Sequence, residues 1–307
     1  VDALVTTAAK TIAHGSRSFA LAARLFDTAT RARALLLYAW CRHCDDVVDE
    51  QVLGMGFVAR AASPDARVDA LRDDTLRTLA GRPPNVMAFQ ALARFADETG
   101  LPPRYPLAHL AGFAMDAADR RYRTLHDTLD YSYHVAGVVG VMMAIAMGVA
   151  PDDGPTLERA SDLGLAFQLA NIARDVVEDA ARGRSYLPDE WLADADIPPG
   201  ELARPVHRAA LAGVAARLVD EAARYRASAR HGTAALPFHS AWAVLAAGGI
   251  YGAIGEKVRA AGARAWHVRQ STSRWEKLRL IAVARGHAAR RLSLGPPPSR
   301  AGLWTMP

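Results

Sequence analysis

The chain has 307 residues, of which 51% are apolar and 7% aromatic, and a formal net charge of +5. That length buries a sizeable core in one large domain or two ordinary ones, and the only cysteines, Cys41 and Cys44, exclude a disulfide-built secreted scaffold. Positive charge is carried almost wholly by arginine along the whole chain, and no aromatic-interleaved basic stripe points to nucleic acid, so the charge suits a small anionic partner or an acidic membrane surface.

Alternating apolar runs and Asn-Gly or Asp-Gly hairpins are absent, while helical periodicity runs throughout. Gly/Pro punctuation falls at 54–64, 81–85, 100–106, 150–155, 183–200 and 232–237. Between those breaks the pattern predicts about ten helices in one all-α domain over residues 1–294. The remainder, GPPPSRAGLWTMP (295–307), reads as an extended or disordered Pro-rich tail. With no secretory leader pattern and a reduced cysteine pair, the expected setting is cytoplasmic.

The first chemically loaded stretch is CRHCDDVVDE, residues 41–50. Its Cys-x-x-C half suggests a redox dithiol or zinc, but a zinc site needs further ligands and a dithiol of the thioredoxin type needs a strand-to-helix turn. Its acidic half places Arg42, Asp45, Asp46 and Asp49 on one helical face, at the i, i+3, i+4 and i+7 positions. Like charges at i, i+4 repel, and the C-terminal end of a helix disfavours anions. A compensating cation is therefore expected, either Arg42 itself or a bound metal.

Next comes the apolar run Val135–Ala150, too short for the ~20 residues of a membrane span and interrupted by Gly137, Gly140 and Gly148. It reads as a buried helix, whose glycines suit close passage of a chain or close packing of another helix.

The second loaded stretch repeats the first. Gln168, Asn171, Asp175 and Asp179 share a stripe, with Glu178 at its edge and Arg174 beside it, on a helix otherwise built of Leu, Ile, Ala and Val. Such hard oxygen donors suit Mg2+, which keeps waters and completes its shell with substrate phosphates. Two acidic stripes together with an apolar helix suit chemistry in which diphosphate leaves and a carbocation is shielded from water. Near the end of the chain Arg285, Arg290 and Arg291 sit on an amphipathic stretch that serves either as a membrane-surface contact or as a solvated face.

SRSFALAARLF, YAWCRHCDDVVDE, YSYHVAGVVG, GLAFQLANIARDVVEDAARGRSYLP and RQSTSRWEKL together resemble the phytoene synthase and squalene synthase family, spread from Ser16 to Lys277. The resemblance implies the all-α isoprenoid synthase fold around a deep central cavity. It also implies head-to-head joining of two prenyl diphosphates, of C20 chains in the phytoene type or C15 chains in the squalene type. It implies that Asp45 and Asp49 face Asn171, Asp175 and Asp179 across the cavity mouth and hold Mg2+ or Mn2+. Ser16, Arg42, Arg174, Tyr186 and Arg269 match diphosphate-binding positions, Gln168 a polar cavity residue, and Tyr131 a tyrosine near the reacting carbons. No nicotinamide cofactor is expected for the phytoene type, and downstream carotenoid enzymes are the natural protein partners. Ala22 and Ala23 are small where the pocket floor would lie. A head-to-tail prenyltransferase or terpene cyclase, and a non-catalytic scaffold of the same fold, are the rival readings.

Overall fold

A computed structural model of the protein describes residues 3–15, 23–50, 62–118 and 120–307. Every regular element among them is helical. The twelve α-helices are α1 (Ala3–Gly15), α2 (Thr28–Val48), α3 (Pro64–Leu79), α4 (Met87–Thr99), α5 (Arg104–Ala117), α6 (Leu125–Ser132), α7 (Val138–Ala146), α8 (Gly154–Ala181), α9 (Asp189–Asp194), α10 (Arg208–Gly232), α11 (Phe238–Ala261) and α12 (Arg274–Ala289).

Local chemistry sets the ends of the two helices that carry the acidic stripes. Asp27 caps α2, accepting from the Ala29 and Thr30 amides at 3.0 Å. At the other end the buried Arg67 of α3 donates to the Val48 carbonyl at 3.1 Å and to Glu50 at 2.8 Å. It thereby satisfies a carbonyl that the helix end leaves open. Asp153 caps α8, with a proline in the first turn, where a missing amide hydrogen costs nothing. This helix runs for 28 residues and packs against α7, α10 and α11, so it is the central post of the bundle.

Helices α6 and α7 form one rod joined by a π-helical turn, Tyr133–Gly137, a departure often found beside functional sites. The rod is long and apolar enough to cross a membrane, but 61% of its most apolar window is buried inside the protein. The buried-helix expectation for this run therefore holds. Close packing uses a glycine on each side: a Cβ on Gly140 of the rod would lie 2.4 Å from the Ala160 carbonyl oxygen, and one on Gly164 of α8 would lie 2.2 Å from that of Ala136, whereas Gly148 turns the chain at φ +96° with open space around it. Gly140 and Gly164 also line the central cavity, so close packing and cavity wall are one feature.

The Pro-rich tail is extended, but it is not loose. Arg300 pairs with Glu158 at 2.8 Å and with the fully buried Asp162 at 2.7 Å. The Trp304 amide donates to the Tyr225 hydroxyl at 2.9 Å. Proline punctuation revealed the missing helix; the apolar anchors Leu303, Trp304 and Met306, which pack on the core, explain why the tail is held.

Candidate active site

A cavity of about 660 Å³ lies among α2, α5, the α6–α7 rod, α8 and α11. Along α8 it is lined from Thr156 to Asn171, about 22 Å at 1.5 Å per residue. Its middle is apolar, with Val139, Met143, Leu163, Phe167, Val244 and Ile250 in the wall. Phe167 stacks on Tyr251 with centroids 4.2 Å apart. His109 also faces the cavity, wedged between Trp40 and Phe113. Burial pushes its pKa down to about 4, so at neutral pH it is one more uncharged ring of the wall.

The polar end is built from both acidic stripes. Arg42 and Asp45 from α2, Asp49 at its C-cap, Gln168 and Asn171 from α8, and Tyr131 and Tyr186 all line the cavity. Asp45 is pushed up to about 6, first by burial and then by Asp49, Asp46 and Asp116, although Arg42 opposes the shift. Arg42 pairs with Asp45, yet its Nε is buried without a hydrogen-bond partner among the described residues. A buried donor without a partner is costly, and a diphosphate oxygen would satisfy it.

The second stripe is arranged differently. Asp175, Asp179, Arg174 and Arg269 lie outside the cavity lining. Asp175 accepts from Arg174 Nε at 2.8 Å and from Arg269 at 3.1 and 2.9 Å, so two guanidinium groups clamp one carboxylate. Arg269 comes from the loop before α12, which Trp266 ties to α8 through a 3.1 Å bond to the Ala173 carbonyl. Asp179 has no such clamp, and burial, then Asp175, push it up to about 6. Asp46 is not in the lining, whereas Asp45 and Asp49 are. Ser16 and Ala22 lie outside the described residues. Ala23 is buried, but the neighbouring cavity wall is Leu25 and Phe26.

Three residues here carry no spacing signal in the sequence. Asp116, on α5, accepts from the Tyr131 hydroxyl at 3.2 Å and from the Tyr186 hydroxyl at 3.1 Å. These two rings stack 4.7 Å apart, with Tyr122 against both. Burial, with Asp116 next, raises both tyrosine pKa values far above the usual range, so both hydroxyls keep their protons. Arg184 lines the cavity and feels Asp116 and Asp49 on one side while lowering the pKa of Asp179 on the other, so it joins the two acidic stripes electrostatically. Asp116 and Arg184 are single charges without a repeat around them, and only folding shows what they face.

Cys41 and Cys44 are free thiols. Burial pushes Cys41 up to about 12 and Cys44 well above its ordinary value, so neither forms the thiolate that redox or zinc chemistry needs.

No group of three His, Cys, Asp or Glu side chains among the described residues closes on a single point. Each stripe offers a few oxygen donors rather than a cage, and burial raises Asp45 and Asp179, with neighbouring carboxylates adding to the shift. That donor set fits a hard divalent cation that shares its shell with water and phosphate.

Acids, arginines and an unsatisfied guanidinium at one end of a long apolar cavity define a protein that takes a polyanionic head through cations and encloses a hydrocarbon tail. Comparison with known proteins places the chain within that class. The Squalene/phytoene synthase family profile matches residues 12–276, and the chain belongs to that family. It is 50% identical to the phytoene synthase of Pseudescherichia vulneris, over 99% of this chain and 98% of that protein. It is 49% identical to the 15-cis-phytoene synthase of Pantoea ananas, with the same coverage. The crystal structure of a dehydrosqualene synthase superposes with a TM-score of 0.82 at 24% identity, covering 93% of this chain and 96% of that one. A squalene synthase from Alicyclobacillus acidocaldarius gives 0.75 at 22%, covering 84% and 94%. The fold is the all-α isoprenoid synthase fold; the chain is a prenyl-transferring enzyme of a divalent-metal-dependent family.

Proposed function

We propose that the protein is a phytoene synthase, joining two geranylgeranyl diphosphates head to head. Prephytoene diphosphate forms first, then loses its diphosphate and rearranges to phytoene. Full-length identity of about half to phytoene synthases carries this reading, and the long cavity with carboxylates at one end and an apolar middle suits it.

In this reading the metal is Mg2+, with Mn2+ as a substitute, held by Asp45 and Asp49 with Asn171, Asp175 and Asp179. When bound, it supplies Lewis-acid neutralisation of the charge growing on the departing diphosphate. The protein's own groups do the rest. Arg42 and Arg184 donate to the diphosphate, with Arg174 and Arg269 beside them at Asp175 and Ser16, Gln168 and Tyr186 as further polar partners. The apolar wall excludes water from the cation, and the rings of Tyr131 and Phe167 offer it π-faces. Proton loss ends the sequence, so no nicotinamide cofactor takes part. We place the protein in the cytoplasm, in passing contact with a membrane surface that receives the product, beside the enzymes that consume phytoene and without a nucleic-acid partner.

Incubation of the purified protein with Mg2+ and labelled C20 or C15 diphosphate, with and without reduced nicotinamide cofactor, tests the proposal. A C40 hydrocarbon from the C20 substrate, unchanged by the cofactor, is expected. A C30 hydrocarbon from C15 substrate with no C40 product would assign the protein to the squalene type. A linear elongated diphosphate or a cyclic terpene would remove it from head-to-head chemistry.

A further inference from the structure

From Lys257 to Pro307 the chain carries eleven Lys or Arg residues and one acid, Glu276. That acid is engaged by Lys257 at 2.8 Å and by the Ser273 amide. Since the whole chain is only +5, everything before Lys257 is net negative, and the positive charge is concentrated at the C-terminal end. The helix within this end, α12, has an inner face that closes the cavity: Ile281 lines it, and the Ile281 carbonyl accepts from Trp242 Nε1 at 2.8 Å.

The outer face is unusual. Trp275 is 79% exposed and Leu278 44%, and both continue along one stripe through the exposed Ala282, Gly286 and Ala289. At 100° per residue, Arg274 and Arg285 border that stripe on one side and Arg279 and Arg290 on the other. All four are exposed and make no ion pair among the described residues. Arg291, expected to share this face, instead turns inward to the Leu236 carbonyl at 2.9 Å.

An apolar strip with an exposed tryptophan at one end and arginines along both borders has the character of a helix lying in a bilayer interface. We infer that the outer face of α12 docks the protein on an anionic membrane surface, with Trp275 and Leu278 entering the acyl boundary and the four arginines on headgroup phosphates. A second copy of the chain is a poorer occupant: two-fold pairing of this face would set arginines against arginines with no free acid to answer them. Docked this way, a single helix separates the cavity from the lipid. The physiological value of that short path rests on the phytoene reading; the docking itself does not.

Co-sedimentation of the full chain with vesicles of equal phosphatidylglycerol and phosphatidylcholine, against phosphatidylcholine alone, tests it. Binding to the anionic vesicles only, weakening between 0.1 and 0.5 M salt, is expected, those salt levels spanning a fall of the Debye length from about 10 Å to about 4 Å. Each arginine near such a surface contributes about a factor of five, so the double variant Arg279→Gln/Arg285→Gln should bind roughly thirty-fold more weakly. Trp275→Ala should lose binding several-fold. Both variants should keep wild-type turnover in detergent, which shows they are folded. Equal binding to neutral vesicles, or variants that bind like the wild type, would overturn the docking. So would loss of a solution dimer in Trp275→Ala, which would assign the face to a second copy. Sedimentation without C40 product would instead fault the functional reading and leave the docking intact.

Discussion

The two acidic stripes look alike in sequence and differ in the fold. On α2 and its C-cap, Asp45 and Asp49 open directly onto the cavity, with Arg42 paired to Asp45 and Arg184 acting on Asp49. On α8, Asp175 is held by two arginines away from the cavity lining, while Asp179 stays undercompensated. The first stripe is thus ready for a cation, and the second is half capped by guanidinium groups that occupy the place of one. Arg269, 61% exposed on its loop, is the solvent-facing half of that cap. The difference teaches that a carboxylate motif and its arginines act as one unit whose pairing depends on what else is bound.

If both stripes serve one reaction, Asp49→Asn and Asp175→Asn should each lower turnover by about 10²–10³, the cost of removing one electrostatic stabiliser. Near-wild-type turnover in Asp175→Asn alongside an inactive Asp49→Asn would break the symmetry and leave catalysis to α2. A large effect on stability rather than turnover is expected from another acid of α8. Asp162 is fully buried and receives Arg300 and Ser228, so Arg300→Met should cost about 3 kcal/mol by stranding that charge. Chemical denaturation measures it; a loss under about 1 kcal/mol would mean that Ser228 and solvent suffice. More modestly, Arg269→Gln should raise KM about tenfold, the value of one charge-assisted contact, while leaving the folded state unchanged. A lower KM would show that the clamp on Asp175 only competes with substrate.

Periodicity carried much of this into the sequence. Gly/Pro breaks predicted an all-helical chain, and the i, i+3, i+4, i+7 spacing put Asp45 and Asp49 on one face because helix geometry is local. What stayed hidden depends on distant segments. Asp116 meets Tyr131 and Tyr186 only when α5 packs beside the rod, and Arg184 joins the stripes only after the chain turns at Gly183, whose φ is +79°. The tail shows the same limit: prolines forbid a helix and leave it extended, but only folding shows that Arg300 finds Asp162 from 138 residues away. The cysteine pair, by contrast, is legible from its helical setting and from the lack of a second cysteine pair in the chain.

The smallest effect separates the stripes by pH. Folding raises Asp45 and Asp179 from 3.8 to about 6, so the folded metal-free protein holds protons that the unfolded chain releases. These two groups therefore favour the fold most below pH 4, and that contribution is lost as pH rises through 6. A divalent cation needs both carboxylates ionised and must displace those protons. The rise in Tm on adding Mg2+ should accordingly be slight at pH 5 and reach its full size above pH 7. Asp45→Asn should flatten part of that pH dependence, and Asp179→Asn the rest, if each stripe binds cations. A metal-induced shift that is independent of pH in the wild type would show that neither raised carboxylate is a ligand. A profile flattened wholly by Asp45→Asn would place cation binding on α2 and leave the α8 acids to their arginines.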